Sequence, residues 1–170
     1  SYYKETWGFC LTHHEYLQLP QEGNYQVVIE STLADGAITY GQYILKGSSE
    51  EEILFSSYLC HPSMANNELS GPLALAFLYQ ELSKIENRYY TYRFVLAPET
   101  IGIVAFLAQQ GDKIKSKIKA GYVLTCCGDA GKITYQLSKR TDTLADNMMQ
   151  HFLKTKYTNA TVRDFRVGGS

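Results

Sequence analysis

Ile53-Leu54-Phe55-Ser56-Ser57-Tyr58-Leu59-Cys60-His61-Pro62-Ser63-Met64-Ala65-Asn66-Asn67-Glu68-Leu69-Ser70-Gly71-Pro72 is the stretch around which this chain is organised. Its first part, residues 53–60, is apolar and aromatic with two serines, the composition of a strand buried on both faces. Polar, metal-competent and small residues then arrive together: His61, Asn66, Asn67, Glu68, Ser70 and Gly71. Pro72 leads an almost unbroken apolar run over 73–82. Proline is tolerated in a first helical turn, where its missing N–H is not needed. The stretch therefore predicts a strand, a polar loop and a buried helix. In open α/β sheets ligands bind at the carboxyl ends of the strands, and His61 stands one residue past the apolar run.

Downstream the pattern repeats. Residues 90–97 read as a second strand, stopped by Pro98, with Glu99 next and an apolar helix to about residue 107. Residues 111–119 read as a basic surface segment, and 120–127 as a third strand broken by Gly128-Asp129-Ala130-Gly131. A short strand over 133–137, an amphipathic helix over 141–154 and a last strand over 161–167 complete the list. Strand and helix alternate from residue 53, which predicts a three-layer α/β/α sandwich. Its sheet should be mostly parallel, with right-handed crossovers.

Upstream, Thr12 and Glu15 form a capping-box pattern, Thr-His-His-Glu, at the start of a short helix. Adjacent histidines lie about 100° apart on a helix, so His13 and His14 cannot chelate one ion, although one of them can reach a site from a lid. Residues 24–31 and 37–45 read as two strands, with Asp35-Gly36 as a tight-turn signal between them. The polar run 46–52 is the best internal boundary. The expected division is therefore residues 1–47 as a small β-rich subdomain and 48–170 as an α/β core.

Composition narrows the function. Lys and Arg number 16 against 17 Asp and Glu, a formal net charge of −1. That balance gives no electrostatic case for nucleic acid or an anionic membrane as partner. No apolar run reaches the length of a membrane span, and the first residues carry no signal-peptide pattern. Four cysteines (Cys10, Cys60, Cys126, Cys127) lack framework spacing and read as buried free thiols of a cytoplasmic protein. The chain opens without methionine and ends in Gly-Gly-Ser, as a piece of a longer protein does. A homo-oligomer is compatible with all of this.

Three consecutive strands end in residues able to meet above a sheet: His61 with Asn67 and Glu68, then Glu99, then Asp129. Each has an ordinary explanation alone: a hydrogen-bonded structural histidine, a first-turn carboxylate favoured by the helix dipole, a turn. Together they are the pattern of a metal-assisted hydrolase, with zinc taking nitrogen and carboxylate ligands and a further carboxylate deprotonating water. Ser70 lacks a nucleophile-elbow context, and no glycine-rich phosphate loop is present.

Cys-His-Pro-Ser-Met-Ala-Asn-Asn-Glu-Leu-Ser-Gly (60–71), Ala-Pro-Glu-Thr-Ile-Gly (97–102), Trp-Gly-Phe-Cys-Leu-Thr-His (7–13) and Leu-Thr-Cys-Cys-Gly-Asp-Ala-Gly (124–131), taken together, closely resemble a bacterial aminopeptidase-like family. That family is a distant relative of the co-catalytic zinc aminopeptidases. It nests a small lid inside the peptidase domain and usually adds a winged-helix domain, which implies that residues 1–47 are the end of that lid and 48–170 the peptidase-like core. The resemblance implies His61 as first metal ligand, but the aspartate two residues later that fixes its ring is Ser63 here. The bridging aspartate is Asn67, with Glu68 next door as a shifted substitute. Glu99 matches the general base, and Thr100 replaces the ligand after it. Asp129 is a further metal candidate, and the last histidine ligand falls beyond residue 170. One zinc ion is implied rather than two, with His13 and Asn67 as lid or substrate contacts. The expected activity is metal-dependent hydrolysis of a peptide or related amide. The alternatives are a peptidase-fold binding module without catalysis, and hydrolysis of a glycan-linked N-acyl group.

Overall fold

The computed structural model describes residues 5, 8–62, 64–157 and 159–166. Its contacts divide the chain into two units, Ser1–Gly36 and Ala37–Ser170. In the first, α1 (His13–Gln18) begins with the expected capping box: the Glu15 N–H donates to the Thr12 hydroxyl at 3.2 Å, and the Glu15 carboxylate accepts from the Thr12 N–H at 2.9 Å. Residues 20–40 contain neither helix nor strand.

The second unit is built on a four-stranded sheet in the order β1-β3-β2-β4. β2 (Glu52–Tyr58) runs parallel to both β3 (Thr91–Ala97) and β4 (Ile118–Val123), while β1 (Gly41–Leu45) pairs antiparallel with β3. The pleat sorts the side chains. Ile53 and Phe55 share a face with their register partners Tyr92 and Phe94. That face packs against α2 (Ser70–Ser83) through Leu75, Leu78 and Leu82, and against α4 (Leu144–Thr155) through Ala145. The opposite face, with Leu54, Val95 and Ala97, packs against α3 (Ile101–Ile114) through Phe106 and Ile114. The architecture is the expected α/β/α sandwich. A second, two-stranded parallel sheet joins β5 (Ile133–Gln136) to β6 (Ala160–Arg163), with α4 between them in the chain.

Several expectations change. The hairpin around Asp35-Gly36 does not form, and Gly41–Leu45 is an edge strand of the main sheet. Its Leu45 joins the Leu75–Phe94 cluster and Tyr43 packs edge-on to Tyr79 at 5.0 Å, so a tertiary partner overrides the local turn signal. The run at 46–52 thus links two strands of one sheet, and the division between units falls after Gly36. The basic segment 111–119 is the end of α3 and the start of β4, because Ile114 and Ile118 turn inward against Val95. The cysteines are free as expected but exposed, since β2 ends at Tyr58 and β4 at Val123, short of Cys60 and Cys126.

One charged pair is built into the sheet. Arg93 on β3 donates from Nε and Nη2 to the two carboxylate oxygens of Glu52 on β2, at 2.6 and 2.9 Å, both residues being buried. Removing one partner would leave the other uncompensated, a cost of about 3–5 kcal/mol.

Candidate functional site

The chain leaves β2 for α2 on one face and leaves β3 for α3 on the other. Adjacent parallel strands whose connections depart to opposite faces open a crevice at their carboxyl ends, the usual ligand position in such sheets. Cys60 and His61 follow β2 there, and Pro98 and Glu99 follow β3. The two ends touch: Leu59 N–H donates to the Ala97 carbonyl at 3.2 Å, and Glu99 N–H to Cys60 Sγ at 3.2 Å.

The expected polar loop after His61 is a π-helical turn, Ala65–Leu69, running directly into α2. Pro72 lacks the N–H that an α-helical Glu68 carbonyl would accept, so this turn is released from α register. Gly71 lets the helix start lie close to the sheet, since a Cβ there would collide with Ser57 Oγ and the Leu124 carbonyl. The turn points Glu68 inward to 2% exposure. Its Oε1 lies 2.6 Å from His61 Nδ1, and its Oε2 accepts from Cys60 N–H at 2.5 Å. Burial opposes ionisation of Glu68, but the hydrogen bonds from Cys60 and His61 outweigh it and hold its carboxyl below the ordinary value. The His61 ring remains half exposed over an open depression of about 410 Å³ lined by Leu59, Pro62, Met64 and Leu69.

Glu99 sits in a γ-turn. Thr100, its centre, has φ 54° and ψ −67°, and Ile101 N–H donates to the Glu99 carbonyl at 2.5 Å. This form is rare and strained, by on the order of 1–3 kcal/mol. The Glu99 carboxylate is partly exposed and accepts no hydrogen bond among the described residues.

The loop after β4 is fastened to the π-turn. Asn66 accepts from Gly128 N–H at 2.7 Å and donates to Asp129 Oδ2 at 3.0 Å, while Ser70 Oγ accepts from Cys127 N–H at 2.8 Å. Asn67 donates to Cys126 Sγ at 3.7 Å.

The structure thus brings His61 and Glu68 together and sets the Glu99 backbone beside them. Among the described residues the cluster of metal-competent atoms within 4.8 Å of one another is Cys60, His61 and Glu68. Asp129 stands outside it, on Asn66 and Gly131. His13 belongs to the first unit and stacks on Tyr16. Ser63 lies outside the described residues. The donor types (imidazole, carboxylate, thiol) suit zinc. Sequence reasoning missed Cys60 as a member and Asn66 with Ser70 as fasteners. Only the crowding of polar residues between 60 and 71 signalled them.

Comparisons with known proteins agree with the fold. The chain is 45% identical over 170 residues to a Clostridium acetobutylicum protein named "Putative polysaccharide biosynthesis protein with aminopeptidase-like domain", all of this chain matching 38% of that protein. It is also similar, at 45% identity and a TM-score of 0.85, to the crystal structure of a "putative peptidase" from Clostridium acetobutylicum, covering 100% of this chain and 40% of that one. The chain therefore spans about two fifths of the length of these relatives. Residues 12–170 match the family described as "Domain of unknown function (DUF4910)", and the chain belongs to that family.

Proposed function

We propose that the full-length protein is a metal-dependent aminopeptidase-like hydrolase of peptide or related amide bonds. The observation that carries this reading is the His61–Glu68 pair at 2.6 Å, set at the crevice between β2 and β3 beside Glu99. One zinc ion at this pair, with His61 as its imidazole ligand, would supply a polarised carbonyl and an activated water. The chain's own contribution is proton management and placement. Glu99, whose carboxylate has no competing donor among the described residues, takes the proton from the attacking water and returns it to the leaving amine. The Thr100 γ-turn sets the direction from which that carboxylate approaches. Asp129, held by Asn66, is the candidate for a further carboxylate toward the ion or the substrate amine, and Asn67 is a candidate for substrate contact. The exposed free thiols fit a reducing, cytoplasmic setting.

Purified without chelator, the full-length protein should carry close to one zinc per chain. It should hydrolyse members of a panel of aminoacyl substrates, lose that activity to a chelator and regain it with zinc. A relative's name joins polysaccharide biosynthesis to an aminopeptidase-like domain, so N-acyl amino sugars belong in the same panel. A second reading, a binding module without catalysis, is favoured by one observation: Asp129 and both Asn66 and Asn67 spend their side chains on internal contacts. Inactivity of zinc-replete protein across the panel would select it.

A further inference from the structure

The His61–Glu68 contact specifies more than proximity. Glu68 is 2% exposed and both its oxygens are taken, Oε2 by Cys60 N–H at 2.5 Å and Oε1 by His61 Nδ1 at 2.6 Å. Glu68 already acts as an acceptor toward the Cys60 N–H, and in the 2.6 Å contact the imidazole is the partner with an N–H to give, so the contact is met by Nδ1–H donating to Oε1. Nε2 then holds the only lone pair of the ring, and it has no partner among the described residues. Two ligands of one tetrahedral zinc stand roughly 3.3 Å apart, given bond lengths near 2.0–2.1 Å. At 2.6 Å, Oε1 and Nδ1 are hydrogen-bonded to each other rather than arranged around an ion. Cys60 Sγ, at 3.4 Å, faces the same occupied nitrogen. A metal-binding imidazole ordinarily gives its other ring N–H to a carboxylate, which fixes its tautomer and plane.

We propose that Glu68 is a positioning residue, its buried carboxylate holding Nδ1–H of His61 so that Nε2 is the atom presented to the metal. It would thereby do from position 68, through the π-turn, what a carboxylate two residues past the histidine does in the zinc aminopeptidases, where this chain has Ser63. This assignment rests on the zinc reading above, and it changes the role expected for Glu68 from ligand to support. It also accounts for a π-turn at this point. Without the extra residue of that turn, Glu68 would be rotated by about 100° away from the end of β2.

The test is nitrogen NMR of the full-length protein labelled with ¹⁵N-histidine, the His61 signals being identified by their loss in His61→Gln. In zinc-free wild type, His61 should be protonated at Nδ1. Added zinc should shift Nε2 and leave the Nδ1 proton in place. In Glu68→Gln the Nδ1–H preference should disappear, and zinc affinity should fall about 10- to 100-fold, the usual effect of losing such support. A zinc-induced shift on Nδ1, or a tautomer unchanged by Glu68→Gln, overturns the proposal while leaving the zinc reading intact. If wild-type zinc affinity proves negligible although the tautomer responds as expected, the zinc reading fails and Glu68 reduces to a structural partner of His61.

Discussion

The backbone N–H of Glu99 donates to Cys60 Sγ at 3.2 Å, tying the carboxyl end of β3 to that of β2. The contact uses the main chain of Glu99 and leaves its carboxylate free for other work. Glu99→Gln should therefore keep the fold, the Cys60 contact and metal binding. Hydrolysis by the full-length protein should fall by a factor of about 100 or more, the scale for a proton-transfer group. An unchanged rate would reduce Glu99 to a helix-start residue.

Acid should weaken the unit through Glu68. Its carboxyl is held below its ordinary value of 4.5 by the Cys60 and His61 donors against the opposing effect of burial. A group depressed in the folded state contributes stability that is complete above its unfolded pKa and is lost as pH falls through its folded pKa. Urea unfolding followed downward from pH 6 should show that loss beginning below about 4.5, and Glu68→Gln should flatten this part of the profile. At neutral pH the same variant should cost about 1–3 kcal/mol, since Cys60 N–H and His61 lose a charged acceptor.

Asp146 is the deepest carboxylate, with 0% exposure, and caps α4. It accepts from Thr143 N–H and hydroxyl, Ser138 N–H and hydroxyl, and Tyr135 hydroxyl, at 2.5–3.1 Å. Burial opposes its charge, but the Ser138 and Thr143 donors dominate and hold its carboxyl far below the ordinary 3.8, while burial and Asp146 push the Tyr135 phenol well up. Asp146→Ala should destabilise β5, α4 and β6 by about 3 kcal/mol or more, because five donors lose their acceptor. Asp146→Asn should cost less. Hydrogen exchange at residues 133–136 and 160–163 would read the effect directly, and equal protection in all three proteins would refute it.

Asn66 is the bolt between the π-turn and the loop after β4. Asn66→Ala should cost about 1–2 kcal/mol, two exposed hydrogen bonds being modest. Its sharper effect should be local: faster proteolysis and hydrogen exchange over residues 126–131, with the sheet unaffected. If Asp129 contributes to the site as proposed, hydrolysis falls together with loop protection. Loss of loop protection at full activity would remove Asp129 from the site.

The strands and helices of the sandwich were legible because their signals are local. Residues 53–60, 90–97 and 120–127 are apolar runs of strand length, and each is stopped by proline, histidine or glycine. The capping pairs Thr12–Glu15 and Thr143–Asp146 are also contacts between near neighbours, the first of them predicted from its spacing. His61, Glu68 and Glu99 were visible as chemistry placed after strands, which is a property of order along the chain.

What sequence could not decide was which partner wins when two are possible. Gly41–Leu45 had a turn beside it and a sheet edge far away, and pairing with β3, 51 residues on in the Gln42–Arg93 hydrogen bond, prevailed because it also buries Leu45 against Leu75 and Phe94. The same holds at the site. Nothing local tells Glu68 to face His61 rather than solvent; Pro72 frees the turn, Gly71 admits the helix start against Ser57, and only then does the carboxylate reach the ring. Residue types and their order determined what chemistry was on offer. The packing of α2 onto β2 and Leu124, just past β4, decided which atoms meet, because contacts between segments depend on distances that no spacing in the chain encodes.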